Sequence, residues 1–587
     1  MMTNRLNLSF KFTSKLINRG LFLNNRINPI SVFNNSKKNL VPSGSRFFSN
    51  TSRKFNINST NATNATNANK NVTVKSNIFT WSFRAVFWSG IAGWCYLTYL
   101  VYKESNPGKQ LPQTDLKDNG NKKKHVVILG SGWGAISFLN KLDTTQYNVT
   151  IVSPRNYFLF TPLLPSVPSG TINIKSICDS VRTIARQTPG EVTYLEAIAK
   201  DVDPENKTVK IEHKSQRFFV GDAFTSERDP LETTLNYDYL VYAVGATVNT
   251  FGIPGINEYA SFLKEANDAT AVRQKLFDQI EASRLLPKDS DDRKRLLNFV
   301  VCGGGPTGVE LAAEIKDYIL QDLSKFIPGI EKEMKVTLIE AQHNVLSMFH
   351  PKLIAYTKDV FKEQGVDLQV DTMVKKVDDQ NVYATYKHPN GETEDITIPY
   401  GTLVWAGGNA QRELTKQLAS KIIEQKTARR GLLVDDYFKL DGDDNIFALG
   451  DCTFTANPPT AQVAHQQGVF LADHFNKLSK KNDIQYLINN SNDENEINKL
   501  NKRLARIEKT DKPFEYIHQG ALAYIGSERA VADLSWGDWS TVALGGTMTF
   551  FFWRSAYVTM LLGIRNKIFV VSDWLKVAIF GRDCSQE

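Results

Sequence analysis

The sequence predicts an α/β protein with two Rossmann-type dinucleotide-binding domains. Two apolar segments, residues 125–129 and 298–302, each run into a glycine-rich turn that a helical pattern follows. In such a turn the first glycine makes a tight bend, the second lets a pyrophosphate approach the backbone, and the last lets the helix pack closely with its amides facing the phosphates. One match alone is weak evidence, but two in the same context indicate a two-dinucleotide flavoprotein fold.

The first turn is followed by a loop that suits a flat ring system. The turn residues are Gly130, Ser131, Gly132, Trp133 and Gly134. The next predicted strand, 148–152, ends in Ser153 and Arg155 instead of the acid that usually binds the adenosine ribose, which weakens this fingerprint when it is taken alone. The apolar, proline-rich loop over 157–165, which contains Thr161, is predicted to pack beside a ring. A loop that only lines the core is the alternative.

Two later strand ends are rich in small residues. Residues 239–244 form an apolar strand that ends at Gly245, and residues 446–450 lead to Asp451. Small residues are needed where the backbone lies against a ring or a phosphate. Asp451 is predicted to hold a ribityl hydroxyl of a flavin, and N-capping of a helix is the compatible alternative.

The second turn is predicted to bind NADH. Its residues are Gly303, Gly305, Pro306, Thr307 and Gly308. The following strand, 335–339, ends at Glu340, whose carboxylate can accept hydrogen bonds from both ribose hydroxyls and would repel a 2′-phosphate. NADH is therefore expected over NADPH. The strand over 403–409 repeats the small-residue pattern and places Gly407 beside the nucleotide.

Candidate catalytic side chains lie on two predicted helices. Gln462, His465 and Gln466 share one helix face by their spacing, which suits hydrogen bonding to carbonyl groups, and a solvated surface is the alternative. Glu310, just past the second turn, is a candidate for proton handling near the nicotinamide. Its alternative role is that of an acid in the first turn of a helix, where it is favourable to the macrodipole.

Charge and cysteine usage exclude several function classes. Residues 1–103 contain 14 Lys and Arg residues and no acid, so the net charge of +8 belongs to the leader and nucleic acid is not an expected partner. The five cysteines form no C-x-x-C or C-x4-C pair, which argues against a redox dithiol or an iron-sulfur cluster. Electrons are therefore expected to leave a flavin directly for an external acceptor. There is no calcium-loop motif, and no metal site is expected.

Targeting and membrane signals occupy both ends of the chain. The acid-free, Arg-, Asn- and Ser-rich N-terminus is typical of a mitochondrial presequence, with cleavage expected after Phe48. Residues 85–102 carry no charge and are long enough to span a bilayer, and a buried globular helix is the alternative. Residues 547–564 and 568–580, with Arg565, Lys567 and Arg582 as flanking cations, favour helices in the membrane interface, and a core-packing helix pair is the alternative.

The chain resembles the mitochondrial alternative, or type II, NADH:quinone oxidoreductases. The resemblance runs from residue 125 to the C-terminus through the segments LGSGWGA, SPRNYFLFTPLLPS, VVCGGGPTGVE, FALGD, PPTAQVAHQ and GALAYIGSERA. The hydrophobic segment and the presequence resemble the external branch, whose catalytic body faces the intermembrane space. Two departures are Gly407, where the family commonly has Thr, and Cys302, where Val is usual.

The resemblance implies bound FAD in the first Rossmann domain, NADH in the second and ubiquinone approaching from the membrane side, with no proton pumping. It makes Ser153 and Arg155 normal residues of the flavin site. It places Gln462, His465, Gln466 and Tyr557 at the quinone side. The implied location is the mitochondrial inner membrane, and a homodimer is compatible with the sequence. A matrix-facing member of the family and a redox-controlled binding flavoprotein, like the apoptosis-inducing flavoproteins, are the alternatives.

These inferences divide the chain into segments. We expect a targeting presequence over 1–48, a polar linker over 49–78, a hydrophobic transmembrane segment over 79–103, the first part of the FAD-binding domain over 122–260, the NADH-binding domain over 261–399, the second part of the FAD-binding domain over 400–475, a polar insertion over 476–512 and a C-terminal membrane-association domain over 513–587.

Overall fold

The computed structural model describes residues 69–213, 219–220, 223–224, 231–536 and 539–585 of the chain. The expected presequence, its cleavage site and residues 49–68 of the expected linker lie outside the described residues. The chain divides into two compact units, Met1–Val86 and Phe87–Glu587. All the sites discussed below lie within the second unit.

The described α-helices alternate with strands through most of the chain. They are α1 (Asn69–Ser105), α2 (Trp133–Lys141), α3 (Val181–Arg186), α4 (Ile256–Tyr259), α5 (Ala266–Arg284), α6 (Asp291–Leu296), α7 (Pro306–Tyr318), α8 (Ser324–Phe326), α9 (Ile330–Glu333), α10 (Pro351–Gln364), α11 (Glu413–Lys421), α12 (Ala461–Asn490), α13 (Glu494–Thr510), α14 (Thr547–Met560) and α15 (Ile564–Phe580). A π-helical turn, Ile319–Leu323, continues α7.

The described strands are mostly short. They are β1 (Lys124–Leu129), β2 (Tyr147–Val152), β3 (Tyr157–Leu159), β4 (Cys178–Ser180), β5 (Val192–Leu195), β6 (Ile198–Asp203), β7 (Thr208–His213), β8 (Phe219–Val220), β9 (Ala223–Phe224), β10 (Leu231–Asn236), β11 (Tyr239–Tyr242), β12 (Ala246–Val248), β13 (Ser261–Phe262), β14 (Asn298–Cys302), β15 (Lys335–Ile339), β16 (Asp367–Gln369), β17 (Thr372–Val377), β18 (Asn381–Lys387), β19 (Thr393–Pro399), β20 (Thr402–Trp405), β21 (Asn409–Gln411), β22 (Ile446–Ala448), β23 (Ala521–Gly526), β24 (Arg529–Trp536) and β25 (Trp539–Gly546).

The first Rossmann domain is built on a parallel sheet of order β5-β2-β1-β11-β22. Its central strands are apolar runs because both faces are covered, and β1 is fully buried from Val126 to Leu129. Strands β2 and β5 lie on one side of β1, whereas β11 and β22 lie on the other. This reversal of strand order between β1 and β11 opens a crevice at the carboxyl ends of the strands. The turn at Gly130 lies at that edge.

The second Rossmann domain repeats the arrangement with the order β16-β15-β14-β20-β13, again all parallel. The predicted fold class, α/β with two Rossmann-type domains, is therefore confirmed. Strand β20 belongs to this sheet and pairs with β14, so the sheet continues past residue 399, where the domain was expected to end. The reason is that the last antiparallel strand, β19, is followed by one more parallel strand.

The C-terminal region is a three-stranded antiparallel sheet, β23-β24-β25, followed by two helices. Helix α14 buries Phe550, Trp553 and Tyr557, and α15 buries Val570 and Trp574. Between this region and the flavin domain, α12 runs on to Asn490 and α13 follows it. The segment expected as a polar insertion over 476–512 is therefore largely helical.

Among the described residues, no helix is long and apolar enough to cross a membrane. The transmembrane segment expected over 79–103 is therefore not confirmed. The segment does lie within helix α1, but Ser89, Gly90 and Thr98, together with Trp and Tyr side chains, leave it only moderately apolar. Near the C-terminal end of α1, Glu104 Oε2 accepts a hydrogen bond of 2.7 Å from the backbone N–H of Ile564, at the first residue of α15.

Candidate active site

The backbone of the first turn requires glycine at its first position. Gly130 has φ of +111°, and a Cβ there would lie 2.3 Å from the carbonyl oxygen of Ala243. Gly132 precedes α2 as its N-cap, and Gly134 packs so closely that a Cβ would meet the side chain of Leu449 at 2.0 Å. The turn therefore packs against the residues that follow β11 and β22, and it has no room for side chains at Gly130 and Gly134.

Ser153 stands at the end of β2 where an acid was expected, and it pairs with Ser131 of the turn. Ser153 Oγ donates to Ser131 Oγ at 3.0 Å, and Ser131 Oγ donates to the carbonyl of Tyr157 at 3.0 Å. Both serines are buried, so each hydroxyl is satisfied inside the protein. The pair fixes the turn to the start of the apolar loop.

The residues predicted for the flavin converge on one cleft of about 140 Å³. Those that line it are Gly132, Trp133, Gly134, Arg155, Thr161, Gly245 and Asp451. Trp133 Nε1 donates to Thr161 Oγ1 at 3.0 Å, which joins the turn to the loop. Gly130 and Ser131 precede the lining residue Gly132 in the turn, and Ser153 is hydrogen-bonded to Ser131.

Three charged residues that the sequence did not indicate also line the cleft: Lys264, Glu265 and Arg412. Glu265 pairs with Arg155 at 2.6 Å and with Arg412 at 3.7 Å. Burial lowers the pKa of Lys264, and burial raises the pKa of Asp451 while Lys264 opposes that shift. Lys264 and Glu265 follow β13, which has only two residues and therefore gave no recognisable strand pattern.

The second turn also begins with a glycine at positive φ, but the space around it is more open. Gly303 has φ of +121°, and a Cβ on Gly308 would lie 2.0 Å from the carbonyl oxygen of Gly303. At Gly305 a Cβ would meet nothing within 4 Å, so the space above this residue is open. Glu340 Oε2 accepts a hydrogen bond of 2.6 Å from the backbone N–H of Gly304.

A larger cavity of about 820 Å³ begins at this turn. Gly305, Pro306 and Thr307 line it on one side, and Gly408, next to Gly407, lines it on another. A Cβ on Gly407 would make an ordinary contact of 3.5 Å with the indole of Trp405, so the backbone there does not require glycine.

The cavity and the cleft share four lining residues: Ala246, Gly450, Asp451 and Ala464. The two predicted nucleotide sites therefore adjoin. A flavin nucleotide suits the first cleft because the glycine turn, Thr161 and Asp451 line it together. A second nucleotide reaching in from Gly305 would end beside Asp451, so the two rings have room to meet.

Glu310 is buried against the C-terminal sheet. Its Oε1 accepts a hydrogen bond of 3.1 Å from the backbone N–H of Tyr524 on β23. Burial raises the pKa of Glu310 to about 8; the hydrogen bond from Tyr524 opposes the shift and the nearby Glu314 adds to it. A carboxyl group with this pKa can both hold and release a proton near neutral pH.

Aromatic rings connect His465 with Tyr557. Trp133 lies 6.5 Å from the ring of His465 and 5.4 Å from that of Phe160, and Phe160 lies 6.0 Å from Tyr557. His465 Nδ1 is 2.7 Å from Ser137 Oγ, and burial lowers the pKa of His465. Burial raises the pKa of Tyr557, and Glu310 contributes to that shift.

The two glutamines do not share the surroundings of His465. Gln466 donates to the carbonyl of Ile517 at 2.8 Å and accepts from its N–H at 3.0 Å. Gln462 accepts from the hydroxyl of Tyr516 and from the N–H of Gln519. Both amides thus hold the segment 516–520, while His465 faces α2. Helical spacing placed the three residues on one face but could not show that a later segment binds two of them.

All five cysteines are free thiols. Burial raises the pKa of Cys178 to about 12 and that of Cys452 to about 12, and it also raises the pKa of Cys302. These thiols remain protonated at neutral pH and are poor nucleophiles. No group of three or more His, Cys, Asp or Glu side chains that could hold a metal ion occurs among the described residues.

Comparison with known families matches nearly all of the region that holds these sites. Residues 124–468 match the family described as pyridine nucleotide-disulphide oxidoreductase. Residues 518–583 match the NDH2 C-terminal domain.

Similar proteins and a similar structure cover most of the chain. External NADH-ubiquinone oxidoreductase 2 of Saccharomyces cerevisiae mitochondria is 51% identical over 511 residues, which cover 86% of this chain and 90% of that protein. The external alternative NADH-ubiquinone oxidoreductase of Yarrowia lipolytica is 47% identical over 519 residues, covering 86% and 87%. The structure of NDH2 from Plasmodium falciparum in complex with NADH has a TM-score of 0.67 at 28% identity and covers 79% of this chain and 99% of that one.

Proposed function

Because the chain belongs to the family of mitochondrial NADH-ubiquinone oxidoreductases, within the pyridine nucleotide-disulphide oxidoreductases, we propose that it transfers electrons from NADH through bound FAD to ubiquinone. The observation that carries this proposal is the meeting of two nucleotide clefts at Gly450 and Asp451. FAD bound in the first cleft supplies the chemistry of accepting a hydride from NADH and giving two electrons to a quinone.

In the proposed FAD site the turn from Gly130 to Gly134 holds the pyrophosphate with backbone amides. Ser131 and Ser153 fix the turn, Asp451 binds a ribityl hydroxyl, and Arg155 with Glu265 forms a charged rim. Gly245 and Thr161 line the same cleft and would face the flavin.

In the proposed NADH site the turn from Gly303 to Gly308 holds the second pyrophosphate. Pro306 and Thr307 begin the helix whose amides face it, and Gly407 lies where the chain returns to the flavin domain. Glu340 lies at the turn, where its carboxylate is available to the adenosine ribose and favours NADH over NADPH.

The proposed quinone side is the ring-lined region between His465 and Tyr557. These two side chains flank Trp133 and Phe160. Glu310 lies next to Tyr557 and is the candidate that supplies a proton as the quinone is reduced. Gln462 and Gln466 contribute by holding the segment 516–520 beside this region.

The reaction needs no thiol relay and pumps no protons in this proposal. The five thiols are free, and three of those that are partly or fully buried have raised pKa values, so none is set up to accept electrons from a flavin as a disulfide. Proton uptake is confined to the chemistry of quinone reduction.

The proposed location is the mitochondrial inner membrane, on the side of the intermembrane space. Helix α15 exposes a face of large apolar side chains opposite its buried one: Phe569, Val571, Leu575, Ile579 and Phe580. Arg565 is exposed beside this face and suits anionic headgroups. Arg582 was expected to share that role, but it is only 7% exposed and pairs with acids inside the protein, which corrects that expectation.

An assay of purified holoprotein tests the activity. NADH with a short-chain ubiquinone should give quinol at rates far above those of free FAD. Sulfide is the control donor, because a sulfide:quinone reductase would use it, and it should give no quinol. Flavin that is not bleached by NADH under anaerobic conditions would contradict the proposal, as would oxidation of NADH without quinone reduction.

The membrane side is tested by protease protection in mitochondria. If the catalytic body faces the intermembrane space, it should be digested once the outer membrane is opened. Digestion only after the inner membrane is broken would assign it to the matrix.

A further inference from the structure

One side of helix α7 and its π-helical extension carries a row of buried acids. Glu310, Glu314, Asp317 and Asp322 are each at most 5% exposed. A row of buried carboxyl groups is costly unless cations or hydrogen-bond donors compensate it. The groups that do so come from the loop after residue 165, from the C-terminal sheet and from the last residues of the chain.

Three hydroxyl groups and one cation surround Glu314. Ser166, Ser169 and Thr171 donate to its carboxylate at 2.8, 2.9 and 2.6 Å. Arg582 lies 3.7 Å away, and Arg582 Nε also donates to Thr171 Oγ1 at 2.9 Å. Thr171 therefore bridges the acid and the guanidinium.

Arg582 is the buried basic partner that the chain's C-terminus brings to this row. Its Nη1 donates to Asp322 at 2.9 Å and to Gln321 at 3.0 Å. Two residues later, Cys584 accepts a hydrogen bond of 3.2 Å from the hydroxyl of Tyr318 at the end of α7. The residues directly after the apolar helix α15 are thus fastened to α7.

The charge at Glu314 lies one helical turn from Glu310. Residues four apart are neighbours on a helix face, and Glu314 acts on Glu310 through space. The other titratable or charged groups that the structure brings near Glu310 and Glu314 are Asp317 on α7, Tyr524 on β23, and Arg554 and Tyr557 on α14. Among the other acids of the row, only Glu314 is both paired with Arg582 and one helical turn from Glu310.

We propose that Glu314 and Arg582 are positioning residues of the quinone half-reaction, which hold a balanced charge pair one turn from Glu310 and thereby set the pH at which Glu310 gives up its proton. The inference rests on the proposed function, because it assigns Glu310 to quinone reduction. It makes the last residues of the chain part of the catalytic apparatus without contact with substrate.

If Glu310 must be protonated, quinone reduction should slow at alkaline pH as Glu310 loses its proton. The midpoint of this decline on the pH axis is the quantity that charge-neutral variants of Glu314 and Arg582 are expected to move. Glu314→Gln removes the negative charge that helps Glu310 keep its proton, so the midpoint should move down by about one pH unit. Arg582→Gln leaves that charge unbalanced, so the midpoint should move up. The double variant removes both charges and should return close to the wild-type midpoint; it also avoids an unpaired buried charge, which favours folding.

Asp322→Asn is the matched control. It breaks the other ion pair of Arg582 but removes no charge next to Glu310, so its midpoint should stay within about 0.3 units of wild type. The rate of anaerobic flavin reduction by NADH and the flavin content should stay unchanged in all four variants. A purely structural role predicts instead that both half-reactions fall together with stability, and an unmoved midpoint in Glu314→Gln overturns the proposal.

Failure of the proposed function and failure of this inference give different experimental results. If the wild-type protein does not reduce quinone with NADH, the proposed function is wrong. If it does, and Glu310→Gln abolishes the alkaline fall while the Glu314 and Arg582 variants keep it in place, only the present inference is wrong.

Discussion

The two Rossmann domains have the same sheet order and the same turn, yet their surroundings differ. The first turn opens on a cleft of about 140 Å³ walled by Trp133, Thr161 and paired charges, whereas the second opens on a cavity of about 820 Å³ with free space above Gly305. The turn therefore indicates nucleotide binding in general. In the proposed function, the residues around each turn make the first nucleotide a resident cofactor and the second an exchanging substrate.

The two helices differ at one equivalent position. Counted from the first glycine of each turn, Ser137 on α2 corresponds to Glu310 on α7. Ser137 contacts the ring of His465, while Glu310 is a buried acid against Tyr524. The ionisable group thus lies on the helix of the second domain, and the first domain presents a neutral partner.

The largest effect is expected from Glu310→Gln, which removes this difference. If Glu310 supplies a proton, kcat with ubiquinone should fall about 100-fold, and the remaining activity should lose its decline above pH 8. Steady-state rates from pH 6 to 10 check this. Ser137→Ala is the matched control at the equivalent position and should change kcat only a few-fold. An equal loss of kcat in both variants would contradict a special role for the acid of the second domain.

The same group also makes a prediction for stability. Its pKa is 4.5 ordinarily and about 8 in the folded protein, so below pH 4.5 it is protonated in both states. As pH rises from there to about 8, the unfolded chain ionises first and the free energy of unfolding falls, by on the order of a few kcal/mol. Glu310→Gln should reduce this loss, as urea unfolding at pH 6 and pH 9 would show.

The next largest effect is expected from the first glycine of each turn. Gly130→Ala places a Cβ 2.3 Å from a carbonyl oxygen at positive φ, so we expect flavin content to fall more than about tenfold. Gly303→Ala should keep the flavin and lose its reduction by NADH. The ratio of flavin to protein absorbance and the bleaching of flavin by NADH under anaerobic conditions distinguish the two variants. Loss of flavin in both would contradict the assignment of flavin to the first turn and NADH to the second.

A smaller effect is expected at the acid that only the second domain carries. Glu340→Gln should lower the preference for NADH over NADPH about tenfold, because a charged hydrogen bond to ribose is replaced by a neutral one. The ratio of kcat/KM for the two cofactors measures it. Asp371→Asn, an acid that pairs with His343 nearby, is the control and should leave the ratio unchanged.

The smallest effect is expected at the serine that replaces this acid in the first domain. Ser153→Ala removes a buried hydroxyl that donates to Ser131 and accepts from the N–H of Arg155. The cost is about 1 kcal/mol, so flavin should dissociate about fivefold faster. Release rates in mild denaturant check this, and an unchanged rate would mean that the hydroxyl pair does not support the turn.

Local sequence patterns predicted the fold and the walls of the candidate sites because strand, turn and helix are contiguous in each Rossmann unit. Glu340 at the end of β15 and Gly245 after β11 were found in this way. Lys264, Glu265 and Arg412 were not, because β13 and β21 are too short to show alternation. The partners of Gln466 and Glu314 were also beyond local patterns, since each pairing joins segments far apart in the chain.

Length without charge was not enough to establish a membrane span at the N-terminal helix. The absence of charge over 85–102 suggested such a span, but no described helix is long and apolar enough to cross a membrane, and this segment contains aromatic and small polar residues. Helix α15 also contains charged residues, and its apolar residues are divided between two faces, with Trp574 inside and Leu575 and Ile579 outside. Where apolar residues lie around a helix is therefore as informative as how many there are.

The hydrogen bond from Ile564 to Glu104 joins two segments that are 460 residues apart in the chain. During synthesis the carboxylate leaves the ribosome long before its amide partner exists, so this contact forms only after the entire catalytic body has been made. Both Rossmann domains are therefore synthesised before these two segments can pair, and a chain that stops before α15 lacks this contact.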